Sequence, residues 1–339
     1  MRLLVTGDLH FRGTNPRSRT DLFQEALTAK LMEVFDLAVQ HQAEAIVVPG
    51  DVFDSPGVTY SVWTDLACLL QDAPCPVMAV PGNHDLWGHN ADSVDRTGYG
   101  ALARLQLVWD LTREPYETMD QGICLLGAGF DADTDRMLDH YLVPQAARTR
   151  SHQVWIKVVH GMALEKTPGF ELRHTLLADI ASHPDAPDML LLGHEHTGFG
   201  HRWLVRPDGH EMLAINPGAL CRLSAHPAEL ERRVQVALLE VHARDREGAL
   251  SVDLEFLPLR SARPGHEVLS RAHLEAQAER EDRLNRFLDL LASEGETRFL
   301  ELTDIVNDVA QREHLPESVV AEALRRLSQA REQLGGVAG

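Results

Sequence analysis

The sequence predicts an α/β fold: a largely parallel sheet, antiparallel strands belonging to a second sheet, and a helical C-terminal appendage. Three observations predict it. Five short apolar runs each end in glycine accompanied by Asp, Asn or His; a helical pattern separates the first two runs; and beyond residue 200 the pattern turns to hairpins and then to a charged helical tail.

The runs are RLLVTGDLH (2–10), AIVVPGDVFD (45–54), PVMAVPGNHD (76–85), VWIKVVHGM (154–162) and MLLLGHEHTG (189–198). Each reads as a strand buried on both faces, because near-continuous apolar residues take the place of polar alternation. Between the first two, Leu22, Phe23, Ala26, Leu27, Leu31, Val34, Phe35 and Ala38 follow helical spacing, with Thr20 or Asp21 as the expected N-cap. A strand, helix, strand order requires a crossover and hence parallel pairing. A second helix is expected at about 60–72. HRWLVRPDGHEMLAINPGAL and VQVALLEVHARDREGALSVDLEFLPL read as hairpins of the second sheet, turning at Pro207-Asp208-Gly209 and around Arg246-Glu247-Gly248. SARPGH (261–266) reads as a linker. The chain therefore divides into a main domain over 1–260 and a linker with a helical module over 261–339, whose apolar positions include Leu284, Phe287, Leu288, Leu290 and Leu291.

Composition narrows the function classes. A net charge of −19 argues against a protein that coats nucleic acid through a broad basic face. No apolar run approaches the ~20 residues that cross a bilayer, so no membrane partner is expected. The first residues pass straight into a strand, leaving no room for a cleavable signal, which points to the cytoplasm. The four cysteines, Cys68, Cys75, Cys124 and Cys221, are scattered and read as buried thiols in a reducing compartment.

Ligands of open α/β sheets gather at the carboxyl ends of the strands. Those ends here carry Asp8 and His10, Asp51, Asn83 and His84, His160, and His194 and His196. A lone GD after a strand is usually only a turn, and a lone HxH is more often surface or core. Five such endings in one order are hard to obtain by chance. Carboxylate, amide and imidazole donors without thiolate suit Mn²⁺, Fe or Zn²⁺ at a catalytic centre.

The set GDLH, GDVFD, GNHD, VVHG and GHEHTG resembles the five-block signature of calcineurin-like metallophosphoesterases over residues 1 to about 220. The resemblance implies a four-layer αββα sandwich and two divalent ions, Mn²⁺ foremost. It implies Asp8, His10 and His196 on one ion, Asn83, His160 and His194 on the other, and Asp51 between them. The ions, roughly 3.5–4 Å apart in such centres, would activate a shared water for in-line attack on phosphorus. His84 would contact the scissile phosphate or protonate the leaving oxygen. Asp85 would orient a histidine or cap the turn.

Within that superfamily the chain is most similar to SbcD-type DNA repair exonuclease subunits, through GDVFDSPG, the single helix before GNHD, and INPGAL (215–220), where Ala219 replaces the usual Ser. That similarity implies DNA, single- or double-stranded, as substrate, an SbcC-type SMC-like ATPase partner bound through residues 267–335, and a homodimer. Within 296–329, Leu300, Leu302, Ile305, Val306 and Val309 would form one apolar face, and Val319, Val320, Ala323, Leu324 and Leu327 another. Arg12, Arg17 and Arg19 in the loop after the first block are candidate phosphate contacts, and Trp87 a candidate base-stacking residue. The competing readings are a phosphodiesterase or phosphatase for small molecules such as cyclic nucleotides or for phosphoproteins, and an inactive scaffold protein. The complete donor set with His84 disfavours the scaffold.

Overall fold

The computed structural model describes residues 1–118, 121–149, 154–242, 244, 250–272, 283, 305–307, 309–311 and 313–335. The chain forms two compact units, Met1–Arg271 and Ala272–Gly339.

The first unit holds two six-stranded sheets. In the first, β1 (Arg2–Val5), β2 (Ala45–Val48), β3 (Val77–Ala79) and β4 (Trp109–Asp110) run parallel. The hairpin of β13 (Gln235–Val241) and β14 (Val252–Pro258) completes it, with β13 antiparallel to β1. In the second sheet, β6 (Ile123–Ala128), β7 (Val154–His160), β10 (Met189–Gly193) and β12 (Glu211–Asn216) run parallel. Antiparallel β5 (Tyr116–Thr118) and β11 (Gly200–Val205) edge it. A short parallel pair, β8 (Ala163–Leu164) and β9 (Thr175–Leu176), stands apart from both.

Alternation along each strand builds the layers. Leu3, Val5, Val47 and Met78 from the first sheet meet Ile156, Val158, Leu191 and Ile215 from the second. On the outer face of the first sheet, Leu4, Ile46 and Val48 pack against Phe23, Leu27, Leu31 and Val34 of α1 (Phe23–Gln40) and Leu66 and Leu70 of α2 (Tyr60–Gln71). Val159, Leu190 and Leu192 on the far side of the second sheet pack against Leu177 and Ile180 of the short helix Leu177–Ser182. The αββα order implied by the resemblance is the order found.

Three local expectations are corrected. The hairpins do not share a sheet, because the chain crosses after β12 and gives one hairpin to each. The first turns where Gly209 adopts φ +84°; the turn around Arg246-Glu247-Gly248 lies outside the described residues. The α1 N-cap position falls on Leu22, and neither Thr20 nor Asp21 caps the helix. Instead Asn15 Oδ1 accepts from Phe23 N at 2.9 Å, satisfying a first-turn donor from eight residues upstream. Finally, Cys124 and Cys221 are buried but Cys68 is exposed.

In the second unit the main described element is the helix Glu317–Gly335, on which Val319 is exposed. Leu284, Phe287, Leu288, Leu290, Leu291, Leu300 and Leu302 lie outside the described residues. Among the described residues no helix is long and apolar enough to cross a membrane.

Candidate metal centre

The carboxyl ends of β1, β2, β3, β7 and β10 meet at one rim, and the loop after β12 closes behind them. Backbone bonds fix the meeting: Leu9 N and His10 N donate to Asp51 O at 3.1 and 2.8 Å, Leu220 N to Asp8 O at 2.9 Å, and Ala219 N to His196 O at 2.9 Å. Close approach requires glycine at two positions. A Cβ on Gly50, which has φ +107°, would lie 2.2 Å from His160 Nδ1, and one on Gly82 would lie 2.2 Å from Asp51 Oδ1. His10, Asp51 and His194 themselves adopt φ of +50°, +47° and +82°, a conformation that side chains with a Cβ rarely hold.

Among the described residues three donor groups result: Asp8, His10, Asp51 and His196; Asp51, His160 and His194, with Asp51 common to these two; and His10, Asp54 and His84. Asp51 Oδ1 accepts from His84 N at 2.8 Å. Its Oδ2 is buried without a hydrogen bond, 3.4 Å from His10 Nε2 and 3.3 Å from His160 Nε2. His10 Nε2 and His196 Nε2 face each other at 3.1 Å, as do His160 Nε2 and His194 Nδ1. Asn83 Oδ1 adds a donor 2.9 Å from His160 Nε2.

The chemistry of this set fits cations. His160 Nδ1 lies 2.8 Å from Pro49 O, and a carbonyl only accepts, so Nδ1 carries a proton, and it is Nε2 that, on giving up its own proton, has a lone pair to offer a cation. Burial works against charge on His160, but Asp51 and Asp8 together with the Pro49 carbonyl outweigh it and hold the ring up to about 10. Burial and the neighbouring His160 push His194 down to about 3. Burial likewise opposes ionisation of Asp8 and Asp51. The hydrogen bond from His196 and the charge of His160 win at Asp8, the charge of His160 beside Oδ2 wins at Asp51, and both carboxyls fall below the usual range. Converging carboxylates and lone pairs of this kind are what a pair of divalent ions neutralises.

Residues 1–198 match the calcineurin-like phosphoesterase family. The chain belongs to that family. It is accordingly a metal-dependent phosphoesterase, with a donor cluster suited to two divalent ions. The SbcD subunit of the SbcCD nuclease from Escherichia coli K12 is 35% identical over 89 residues, covering 25% of this chain and 21% of that protein, and its O157:H7 counterpart matches equally. The matched segment thus spans about a fifth of these curated relatives. Similar solved structures include the Haemophilus influenzae NAD nucleotidase (TM-score 0.48, 14% identity, 76% of this chain and 50% of that one) and a 5′-nucleotidase precursor from Thermus thermophilus (TM-score 0.48, 14% identity, 84% and 59%).

Around this phosphoesterase centre the remaining candidates separate. His84 is exposed, with Nδ1 2.9 Å from Asp54 O and its ring centroid 4.7 Å from that of His10. Arg12 pairs with Asp54 Oδ2 at 2.6 Å. Arg19 is buried, pairs with Asp21 at 2.7 Å and lies over Phe23. Arg17 is exposed. Trp87 is half exposed, its Nε1 donating to Arg96 O at 3.4 Å. Asp85 orients no histidine: its carboxylate accepts from Gly82 N, Val52 N and Phe53 N at 2.9, 3.1 and 2.9 Å, stitching two loops together. Burial and the nearby Asp51 raise it to about 7. Sequence reasoning missed Phe130, whose ring lies 5.7 Å from that of His194 and 5.5 Å from that of His89. A lone aromatic in a loop carries no motif.

Proposed function

We propose that the chain hydrolyses phosphodiester bonds in small nucleotide-type molecules, with Mn²⁺ as the working ion. The observation that carries this reading is the commitment of the loop cations. Arg12 is spent on Asp54 and Arg19 on Asp21, so two of the three arginines next to the centre are already neutralised. A polymer backbone is held by a track of such cations. What remains is exposed Arg17 and the exposed imidazole of His84, with the exposed rings of Trp87 and His89 beside buried Phe130, a set that suits a single phosphate and a base. The net charge of −19 supports the same choice.

In this reading Asp8, His10 and His196 hold one ion, Asn83, His160 and His194 the other, and Asp51 Oδ2 faces both. Bound there, the ions supply Lewis acidity toward the phosphoryl oxygens and lower the pKa of water. The chain's own residues do the rest. Because Asp54 O fixes the Nδ1–H tautomer of His84, Nε2 is the atom presented to a phosphate oxygen or leaving group. Phe130 and His89 wall one side, and Trp87 is available to stack on a base.

A second reading, DNA cleavage with an SMC-like ATPase docked on the C-terminal helical unit, is favoured by the 89-residue match to the SbcD subunit. One assay separates the two. Mn²⁺-loaded protein is given bis-p-nitrophenyl phosphate, cyclic nucleotides and end-labelled single- and double-stranded DNA. The expected result is kcat/KM for the best small diester at least about tenfold above that for nucleotide release from DNA. Degradation of DNA with the small esters left intact would establish the nuclease instead.

A further inference from the structure

Asp54 sits three residues beyond Asp51, in the GDVFD block, and touches three groups of the centre at once. Its Oδ1 lies 3.2 Å from His10 Nδ1. Its Oδ2 holds Arg12 at 2.6 Å. Its main-chain oxygen lies 2.9 Å from His84 Nδ1. Its own amide donates to Phe11 O at 3.3 Å, and Phe11 pairs with Phe53 across the two strand-end loops, so its backbone is fixed between β1 and β2.

His10 needs such a neighbour. The ring is fully buried, and Nδ1 has no hydrogen bond in this geometry. Nε2 points to Asp51 and His196, so Nδ1 must carry the proton if Nε2 is to bind an ion. A buried N–H without an acceptor is costly, and Asp54 Oδ1, within reach but off the N–H line, accepts it after a small rotation of either group.

We propose that Asp54 is a positioning residue for both histidines. Its carboxylate fixes the tautomer and the ring of His10, its carbonyl fixes the ring of His84, and Arg12 holds the carboxylate in place. Arg12 therefore serves the ion site and does not bind substrate phosphate. This inference rests on the two-ion assignment above.

Metal-free wild type, Asp54→Ala, Asp54→Asn and Arg12→Gln proteins are titrated with Co²⁺, followed by calorimetry and by the visible spectrum of the bound ion. Wild type is expected to take up two ions. In Asp54→Ala one of the two steps weakens about 10- to 100-fold while the other stays within about threefold, and the Co²⁺ spectrum of the weakened site changes. Asp54→Asn recovers part of the loss, because its amide oxygen still accepts one hydrogen bond. Arg12→Gln weakens the same step, with KM for bis-p-nitrophenyl phosphate within about twofold of wild type; it also decides the matter if Asp54→Ala fails to fold, since Arg12 is partly exposed.

Two unchanged binding steps in Asp54→Ala overturn the role of Asp54 and leave the two-ion assignment standing. A tenfold rise in KM with intact ion binding in Arg12→Gln returns Arg12 to the substrate. Wild type that binds no pair of ions overturns the two-ion assignment itself. A third equivalent, lost in Asp54→Ala, places an ion among His10, Asp54 and His84, the third donor group here, and replaces the proposal.

Discussion

His84 has one nitrogen tied to a main-chain carbonyl and an exposed ring, while Asp8, His10, Asp51 and His160 are buried. Replacing it should separate chemistry from ion binding. His84→Ala is expected to lower kcat roughly 10²- to 10⁴-fold while elemental analysis finds the wild-type ion content; loss of the ions would contradict the assignment. Lys30 offers a second residue-level test. It is buried in α1, donates to Leu220 O at 2.8 Å, and burial pushes it down to about 7. Between pH 7 and about 10.4, the ordinary lysine value, the unfolded chain holds a proton that the folded chain has released. Stability from this group therefore rises with pH across that window, by at most about 1.4 kcal/mol per pH unit. Denaturation of Lys30→Met should show this rise removed; parallel pH profiles would refute it. The convergence of Asp8, His10, Asp51, His160, His194 and His196 was legible in the sequence because each lies within a few residues of a strand end. The fates of Arg12 and Arg19 were not, since Asp54 reaches Arg12 only through the tertiary approach of two loops.

At the scale of elements, the centre depends on loops more than on strands. Asp85 receives three backbone N–H groups from two different loops, and each buried donor left without an acceptor costs about 1–3 kcal/mol. Asp85→Ala is therefore expected to lower the unfolding free energy by about 3 kcal/mol or more in urea, and a change below about 1 kcal/mol would show that water replaces it. The strands themselves were legible from apolar runs such as those at 45–48 and 189–193, because burial on both faces leaves a continuous signature. Sheet membership of the hairpins was not. Local alternation gives pairing within a hairpin, but which sheet it joins is decided by the neighbour its inner strand finds, β10 for β12 and β1 for β13. The cap of α1 escaped for a related reason, as Asn15 sits in a loop folded back on the helix start.

At the scale of the whole molecule, both hydrophobic layers around the first sheet and every ion donor fall within Met1–Arg271. A chain ending at Arg271 should fold, take up its ions and hydrolyse bis-p-nitrophenyl phosphate within about threefold of the full chain; a collapsed or insoluble product would mean that the second unit completes the core. The left-handed turns at His10, Asp51 and His194 have a consequence for durability. Non-glycine residues held there cost about 1–3 kcal/mol each, and that cost remains when the ions are absent. Selection for turnover and selection for resilience thus pull in opposite directions at the same backbone positions. His194→Asn, with a residue that tolerates the left-handed region and no ring crowded against His160, is expected to melt above the wild-type protein in EDTA, although it no longer turns over. A lower melting temperature would mean that the fold has absorbed the strain elsewhere.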